Sequence, residues 1–280
     1  MLPIKDSNPT RRTAWVTIAL IAANVIVFLI WEPTFAAGRA GQLEQEFFFL
    51  CHAEVPWEVT HQTSLAEGGA AARAAIGRSG IGDPAGVQRV LLQGAHGTLP
   101  DGERVDLPAC PHKVWWESVF VAMFLHGGWL HLAGNMLFLW IFGNNVEDKI
   151  GRPGYLLFYL LGGVAASALQ IAVAADAASP YLGASGAIAA VLGAYLVMFP
   201  RRRVLVLLFF FVPIWLPAVV VLGVWFVLQL FEGAGGLSTH VNAGVAYFAH
   251  VGGFLFGMLA AQLLFPKERV RRRAPQQFEW

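Results

Sequence analysis

Five polar side chains stand within or at the edges of long apolar stretches: His126, His131, Asn135, Ser185 and His250. Polar groups in such surroundings are costly, so each is a functional candidate. A serine and a histidine about 2.6–3.2 Å apart form an activated nucleophile, with the histidine as general base. The attacked carbonyl then needs hydrogen-bond donors for its oxyanion, and an asparagine amide or an imidazole N–H can serve. Ser185 lies in Gly183-Ala184-Ser185-Gly186, and its glycines permit close backbone approach. Taken alone, a serine there also reads as a helix N-cap. No Asp or Glu falls in the outer half of any predicted span, so the spacing implies a Ser–His dyad rather than a triad.

Those side chains need elements to hold them. The 280 residues are 56% hydrophobic and 13% charged. Soluble domains carry about 25% charged residues. With a mean hydropathy of +0.57, the composition points to a membrane protein. A net charge of +1 offers no field for a nucleic-acid partner. Six spans are predicted: 14–31, 129–146 (or from nearer 119), 155–175, 183–198, 218–231 and 245–265. The first is read as a retained anchor rather than a cleaved leader. Pro213 and Pro217 interrupt the apolar run 204–217, which is therefore read as a loop or broken segment.

Thirteen of the nineteen basic residues cluster at 5–12, 149–152, 201–203 and 267–273, which places both termini in the cytoplasm. The domain plan is a cytoplasmic tail over 1–13, a membrane domain over 14–265 and a cytoplasmic tail over 266–280. Residues 32–117 form a long extracytoplasmic first loop. Within it, 66–102 is rich in Gly and Ala and reads as a poorly structured insertion. Cys51 and Cys110 flank that insertion. A disulfide is the first reading, two free thiols the second and a Cys₂His₂ zinc site with His52 and His112 the third.

Spans two, four and six all start on the outer side, so the five polar residues share one depth. Gly253 and Gly257 follow His250 at i+3 and i+7, and Ala189 and Gly193 follow Ser185 at i+4 and i+8. These two stripes of small residues let membrane helices pack closely. Small-residue packing around a satisfied histidine explains the glycines but not the common depth. A metal site on His126, His131 and His250 is disfavoured because the first two are spaced i+5, where zinc pairs prefer i+4. No cofactor is expected.

The segment His126-Gly-Gly-Trp-Leu-His131-Leu-Ala-Gly-Asn135 resembles the signature on the second helix of rhomboid proteases. Gly183-Ala-Ser185-Gly186 resembles their nucleophile motif, and Ala249-His250-Val-Gly-Gly253-Phe-Leu-Phe-Gly257 resembles their histidine helix. The resemblance covers roughly residues 10–35 and 115–265. It implies an all-α, six-helix membrane bundle that cleaves substrates which are themselves transmembrane helices. It implies Ser185 as nucleophile, His250 as base, and Asn135 and His131 as oxyanion donors beside the Ser185 amide. It also implies a structural or water-retaining role for His126 and a helix-tying role for Glu147. Val114-Trp115-Trp116-Glu117 lacks the Trp-Arg pair of many relatives. Ala189 stands where some carry a tyrosine beneath the histidine ring, so support for His250 must come from another contact. A catalytically inactive relative that only binds membrane helices is the competing reading. The oligomeric state is not legible.

Overall fold

The computed structural model describes residues 2–35, 37–209, 211–239 and 246–264, most of them helical. In chain order these are β1 (Leu2–Asp6), α1 (Trp15–Ile26) with a π-helical turn (Val27–Trp31), α2 (Gly38–His52), α3 (Pro56–His61), α4 (Gly69–Ser79) and α5 (Pro84–Gln93). The hairpin β2 (Ala95–Thr98) and β3 (Arg104–Leu107) follows, then α6 (Trp115–Ala122) and α7 (Trp129–Phe138) with a second π-helical turn (Leu139–Gly143). Next come α8 (Asn144–Ile150), α9 (Arg152–Val173), α10 (Ser185–Met198), β4 (Arg203–Leu208) and β5 (Val212–Pro217). The last elements are α11 (Ala218–Thr239) and α12 (Tyr247–Leu264).

Among the described residues, α9 and α12 are long and apolar enough to cross a membrane. Residues 15–31, 185–198 and 218–233 form shorter apolar helices. Residues 129–146, read as span two, are continuous helix through α7, the π-helical turn and α8, and the alternative start near 119 falls in α6, which a turn carrying His126 separates from α7. The bundle also carries apolar side chains on its outside, among them Leu157, Leu228, Leu259 and Leu263. A helix that is apolar on every side belongs in a core or a bilayer.

Helix α10 is the axis of the bundle, buried from Gly186 through Tyr195. It packs on α12 through backbone rather than side chains. A Cβ added at Gly253 would run into the Gly186 carbonyl, and one at Gly257 into the Ala190 carbonyl. The reciprocal contact brings Gly193 against the Phe254 carbonyl. Helix α9 closes the other side, where Gly162 lies against Ala190 and Gly252 against Leu169.

Local chemistry sets the helix ends. Gly151 takes a φ of +87° and ends α8, and Pro153 occupies the first turn of α9, where its missing N–H is harmless. Helix α10 stops just before Pro200. Helix α1 has no cap of its own. Glu147 of α8 supplies one, accepting from the Val16 and Thr17 amides at 3.0 and 2.7 Å and from the Thr17 hydroxyl at 2.8 Å. A carboxylate there faces the positive end of the helix dipole.

The all-α expectation is corrected by five strands. The segment 204–217 is a hairpin, and β1 joins it in the order β1-β4-β5. The prolines do not prevent this. The Ala218 amide donates towards β4, to the Arg202 carbonyl, so the alternate positions 217 and 213 face the other side. That side is the free edge among the described residues, where a strand tolerates proline. Residues 2–6 of the predicted N-terminal tail are therefore a strand, in which Asp6 accepts from Tyr195 at 2.6 Å and Asn145 at 2.8 Å. The predicted tail 266–280 lies outside the described residues.

The insertion 66–102 is also corrected, since it folds as α4, α5 and strand β2, which pairs with β3 just beyond it. Gly80 closes α4 in the left-handed conformation, and Asp83 caps α5 by accepting from the Gly86 amide at 2.6 Å. Trp57, Leu65, Ala72, Ala75, Ile76 and Leu91 make a second core. A Cys51–Cys110 disulfide joins its two ends, with Cα atoms 5.8 Å apart. Beside it, Lys113 Nζ and Glu58 Oε2 form a buried ion pair at 2.6 Å. Lys113 also donates to the Leu50 carbonyl at 2.9 Å, and the Leu65 amide donates to Glu58 at 2.8 Å. Burial holds the Lys113 ammonium below the usual lysine range, against the opposing pull of Glu58.

Two stability outcomes follow, both read by thermal unfolding in detergent. Lys113→Met leaves the Glu58 carboxylate buried without a counter-charge and costs roughly 3–5 kcal/mol. The double change Lys113→Met/Glu58→Leu costs markedly less, and equal losses would mean the pair is not coupled. Gly257→Ala forces α12 away from α10 and costs about 1–3 kcal/mol. Gly223→Ala on α11, where an added Cβ meets nothing within 4 Å, is neutral or gains up to about 1 kcal/mol. Equal melting temperatures for the two glycine variants would contradict the backbone seam.

Candidate active site

The first residue of α10 is Ser185, and α12 carries His250 one turn from its start. The seam between these helices brings His250 Nε2 to 2.7 Å from Ser185 Oγ. Ser185 does not cap its helix, since the cap position is Ala184 and Ser185 is the first helical residue. The other imidazole nitrogen, Nδ1, meets Gln229 Oε1 of α11 at 2.5 Å. The Trp225 ring lies 5.8 Å from the His250 ring, at 40°. These two α11 side chains surround the histidine in a chain that has Ala189 at the tyrosine position.

His131 and Asn135 lie one turn apart on α7, which enters the cluster from the opposite side. The Gly127 amide donates to His131 Nδ1 at 3.3 Å, which puts the imidazole proton on Nε2. A Cβ at Gly183 would sit 2.9 Å from that Nε2 and 3.5 Å from Ser185 Oγ. Gly183 holds a φ of +124°, a conformation open to glycine, so only a residue without a side chain lets the His131 ring pass so near. Its amide donates to the Ala122 carbonyl at 2.8 Å, tying the approach to α10 to the end of α6. Gly186 faces α9, where an added Cβ would meet Ala166 at 2.6 Å. Asn135 is buried, and its side-chain N–H₂ has no acceptor among the described residues.

A cavity of about 460 Å³ joins these groups. His131 and Asn135 line it together with Ser185 and His250, and Leu130, Phe138, Ile188, Leu192 and Trp225 make it largely apolar. The first amides of a helix lack intrahelical acceptors, so the α10 start adds backbone donors at Ser185. The arrangement sets a serine hydroxyl against an imidazole nitrogen beside one largely apolar slot, with the His131 and Asn135 side chains as donors at hand. Among the described residues no three His, Cys, Asp or Glu side chains converge as metal ligands.

His126 is placed differently. It is fully buried in the turn between α6 and α7, and its ring meets that of His131 edge-on with centroids 5.1 Å apart. Its backbone N–H donates to both Glu32 oxygens at 3.0 and 3.2 Å. It therefore braces His131 from behind and does not line the cavity.

Three polar groups escaped the sequence reading. Gln229 is the lone amide in the apolar run 219–231, a signal that was present. Gln170 accepts from the Ala249 amide at 3.2 Å and so caps the start of α12 beside His250. Glu54 comes from the first loop into a small cavity that also touches Ser185. It accepts from Ser167 at 2.5 Å while its other oxygen has no partner among the described residues, and burial pushes its carboxyl up to about 7. No rule of spacing could have linked a loop glutamate to that place.

A family model for the Rhomboid domain matches residues 112–267, which include all of Ser185, His250, Asn135 and His131. The chain is 30% identical over 161 residues to Rhomboid-like protein 11, chloroplastic, of Arabidopsis thaliana, covering 53% of this chain and 52% of that protein. It is 30% identical over 164 residues to Rhomboid protein 1, mitochondrial, of Saccharomyces cerevisiae, covering 55% and 44%. It is 33% identical over 152 residues to Rhomboid protease GluP of Bacillus subtilis, covering 54% and 26%. The chain spans about half the length of the first two relatives and a smaller share of the third. With more than half of its residues matched by that domain, the chain belongs to the rhomboid family.

Proposed function

We propose that this chain is an intramembrane serine endopeptidase whose substrates are themselves transmembrane helices. The observation that carries the reading is the 2.7 Å contact between Ser185 Oγ and His250 Nε2 at an apolar cavity with free donors. Relatives that include a named rhomboid protease support it. In this reading six spans cross a cell membrane, with α7 and α8 as the second. The basic clusters put both termini in the cytoplasm, so residues 32–117 and the active site face outward.

The chemistry divides into two steps. His250 Nε2 takes the Ser185 proton as Oγ attacks the substrate carbonyl carbon. Asn135, His131 Nε2–H and the Ser185 amide hold the oxyanion. Collapse breaks the peptide bond, and the imidazolium returns its proton to the leaving amine. A water deprotonated by the same imidazole then hydrolyses the acyl-enzyme. The slot opens between α7 and α11, where Leu130 is exposed and Trp225 lines the wall, so the substrate enters sideways there. It must unwind locally, because helical carbonyls are already bonded, and glycine near the cut favours this.

Ser185→Ala and His250→Ala each remove cleavage of a model transmembrane substrate in vesicles, while a chelator leaves the wild-type rate intact. A fluorophosphonate probe labels wild type and not Ser185→Ala. Absent labelling of folded wild type would favour an inactive helix-binding relative. Chelator-sensitive cleavage that survives Ser185→Ala would exclude the serine mechanism.

Asn135 has a second, purely structural reading as a tie between helices. As an oxyanion donor, its change to alanine lowers kcat by about 10²–10³ with KM and Tm near wild type. A variant that melts far lower yet cuts normally per folded molecule would make it a tie.

A further inference from the structure

The imidazole of His250 can serve as a base towards Ser185 only if its Nε2 carries a lone pair. Its proton must then lie on Nδ1, and that nitrogen needs an acceptor where water is scarce. The Nδ1 partner is Gln229 Oε1, reached from α11. Reversing the amide would aim N–H₂ at Nδ1, force the proton onto Nε2 and disarm the base. Trp225, one turn earlier on the same face of α11, packs beside the ring. Helix α11 thus presents two side chains to the histidine, one bounding its ring and one fixing its proton.

We propose that Gln229 is the positioning residue of the dyad, holding His250 in the Nδ1–H tautomer with Nε2 aimed at Ser185. This rests on the reading of Ser185 and His250 as nucleophile and base. Gln229 fills the place that a carboxylate holds in a triad, but as a neutral dipole. It orients the ring and stabilises the imidazolium without placing a second buried charge. The groups facing His250 are Ser185 from α10, Gln229 and Trp225 from α11 and, across the cavity, His131 from α7. Of these only His131 titrates, and it makes no contact with Nδ1.

The test is cleavage of a model transmembrane substrate by the full chain in lipid vesicles, with kcat, KM and their pH dependence measured. Gln229→Leu removes the acceptor and lowers kcat by about 10²-fold with KM unchanged. This is less than the roughly 10⁴-fold loss when a triad carboxylate is neutralised, because no charge is removed. Gln229→Glu keeps an acceptor and retains activity. Its carboxylate favours the imidazolium, so the acid limb of the kcat profile moves to higher pH by about one unit or more. A glutamine that merely packs α11 would not move that limb. Should Gln229→Leu fail to fold, the pH profile of Gln229→Glu decides alone. Wild-type kcat in a folded Gln229→Leu, or an unmoved acid limb in Gln229→Glu, overturns the proposal. Ser185→Ala in the same assay separates the two ideas. If it still cuts, the dyad reading falls and the role of Gln229 with it. If it is dead while Gln229→Leu cuts normally, only the role of Gln229 falls.

Discussion

The backbone contact between α10 and α12 is the constraint from which the rest of the molecule follows. Helices that meet through ordinary side chains lie about 8–10 Å apart and tolerate small shifts in register. Here Gly253 lies on the Gly186 carbonyl, Gly257 on that of Ala190, and Gly193 on that of Phe254. Contacts of this kind fix register as well as distance, because a shift of one residue drives a Cβ into a carbonyl. Ser185 precedes Gly186 by one residue and His250 precedes Gly253 by three. The polar pair therefore sits at the open end of the seam, where both helices begin.

Around that seam, backbone amides at helix starts are satisfied from a distance. The Asp83 cap of α5 is local, but α1 is capped by Glu147 and α12 by Gln170. Glu32 likewise anchors the turn before α7 through the His126 amide. An unsatisfied amide in apolar surroundings is costly, so each of these bonds fixes where an element begins. The positions of His131 and His250 are thus set by residues on other helices. Local helix propensity would leave both ends free to fray.

The residues of the Ser185 cluster were legible because their types are out of place in apolar runs and small residues recur at helical spacing beside them. Gln229 is just as out of place. It escaped because proline at 213 and 217 drew the reading to where the helix starts, and nothing in sequence ties it to a histidine 21 residues on. The first loop misled for a compositional reason. A Gly- and Ala-rich stretch offers little apolar mass, and small cores of that kind need staples. The staples here are the disulfide and the buried Lys113–Glu58 pair, neither of which declares itself in hydropathy. The three-stranded sheet was hidden because it is assembled from a presumed tail and a presumed break, and each strand looks like coil without the other.

That sheet ties the beginning of the chain to its middle, with Leu2 beside Leu207 and Asp6 beside Val204. The consequence lies in biogenesis. Strand β1 leaves the ribosome before its partner, which follows nearly 200 residues later, roughly 10–40 s at ordinary rates of synthesis. Until then its backbone groups have no ladder, and Asp6 awaits a tyrosine in a helix not yet made. Strand β1 must therefore stay unpaired while α1, α7, α9 and α10 are still being synthesised. Its pairing with β4 can follow only once α10 has emerged, because β4 comes after α10 in the chain.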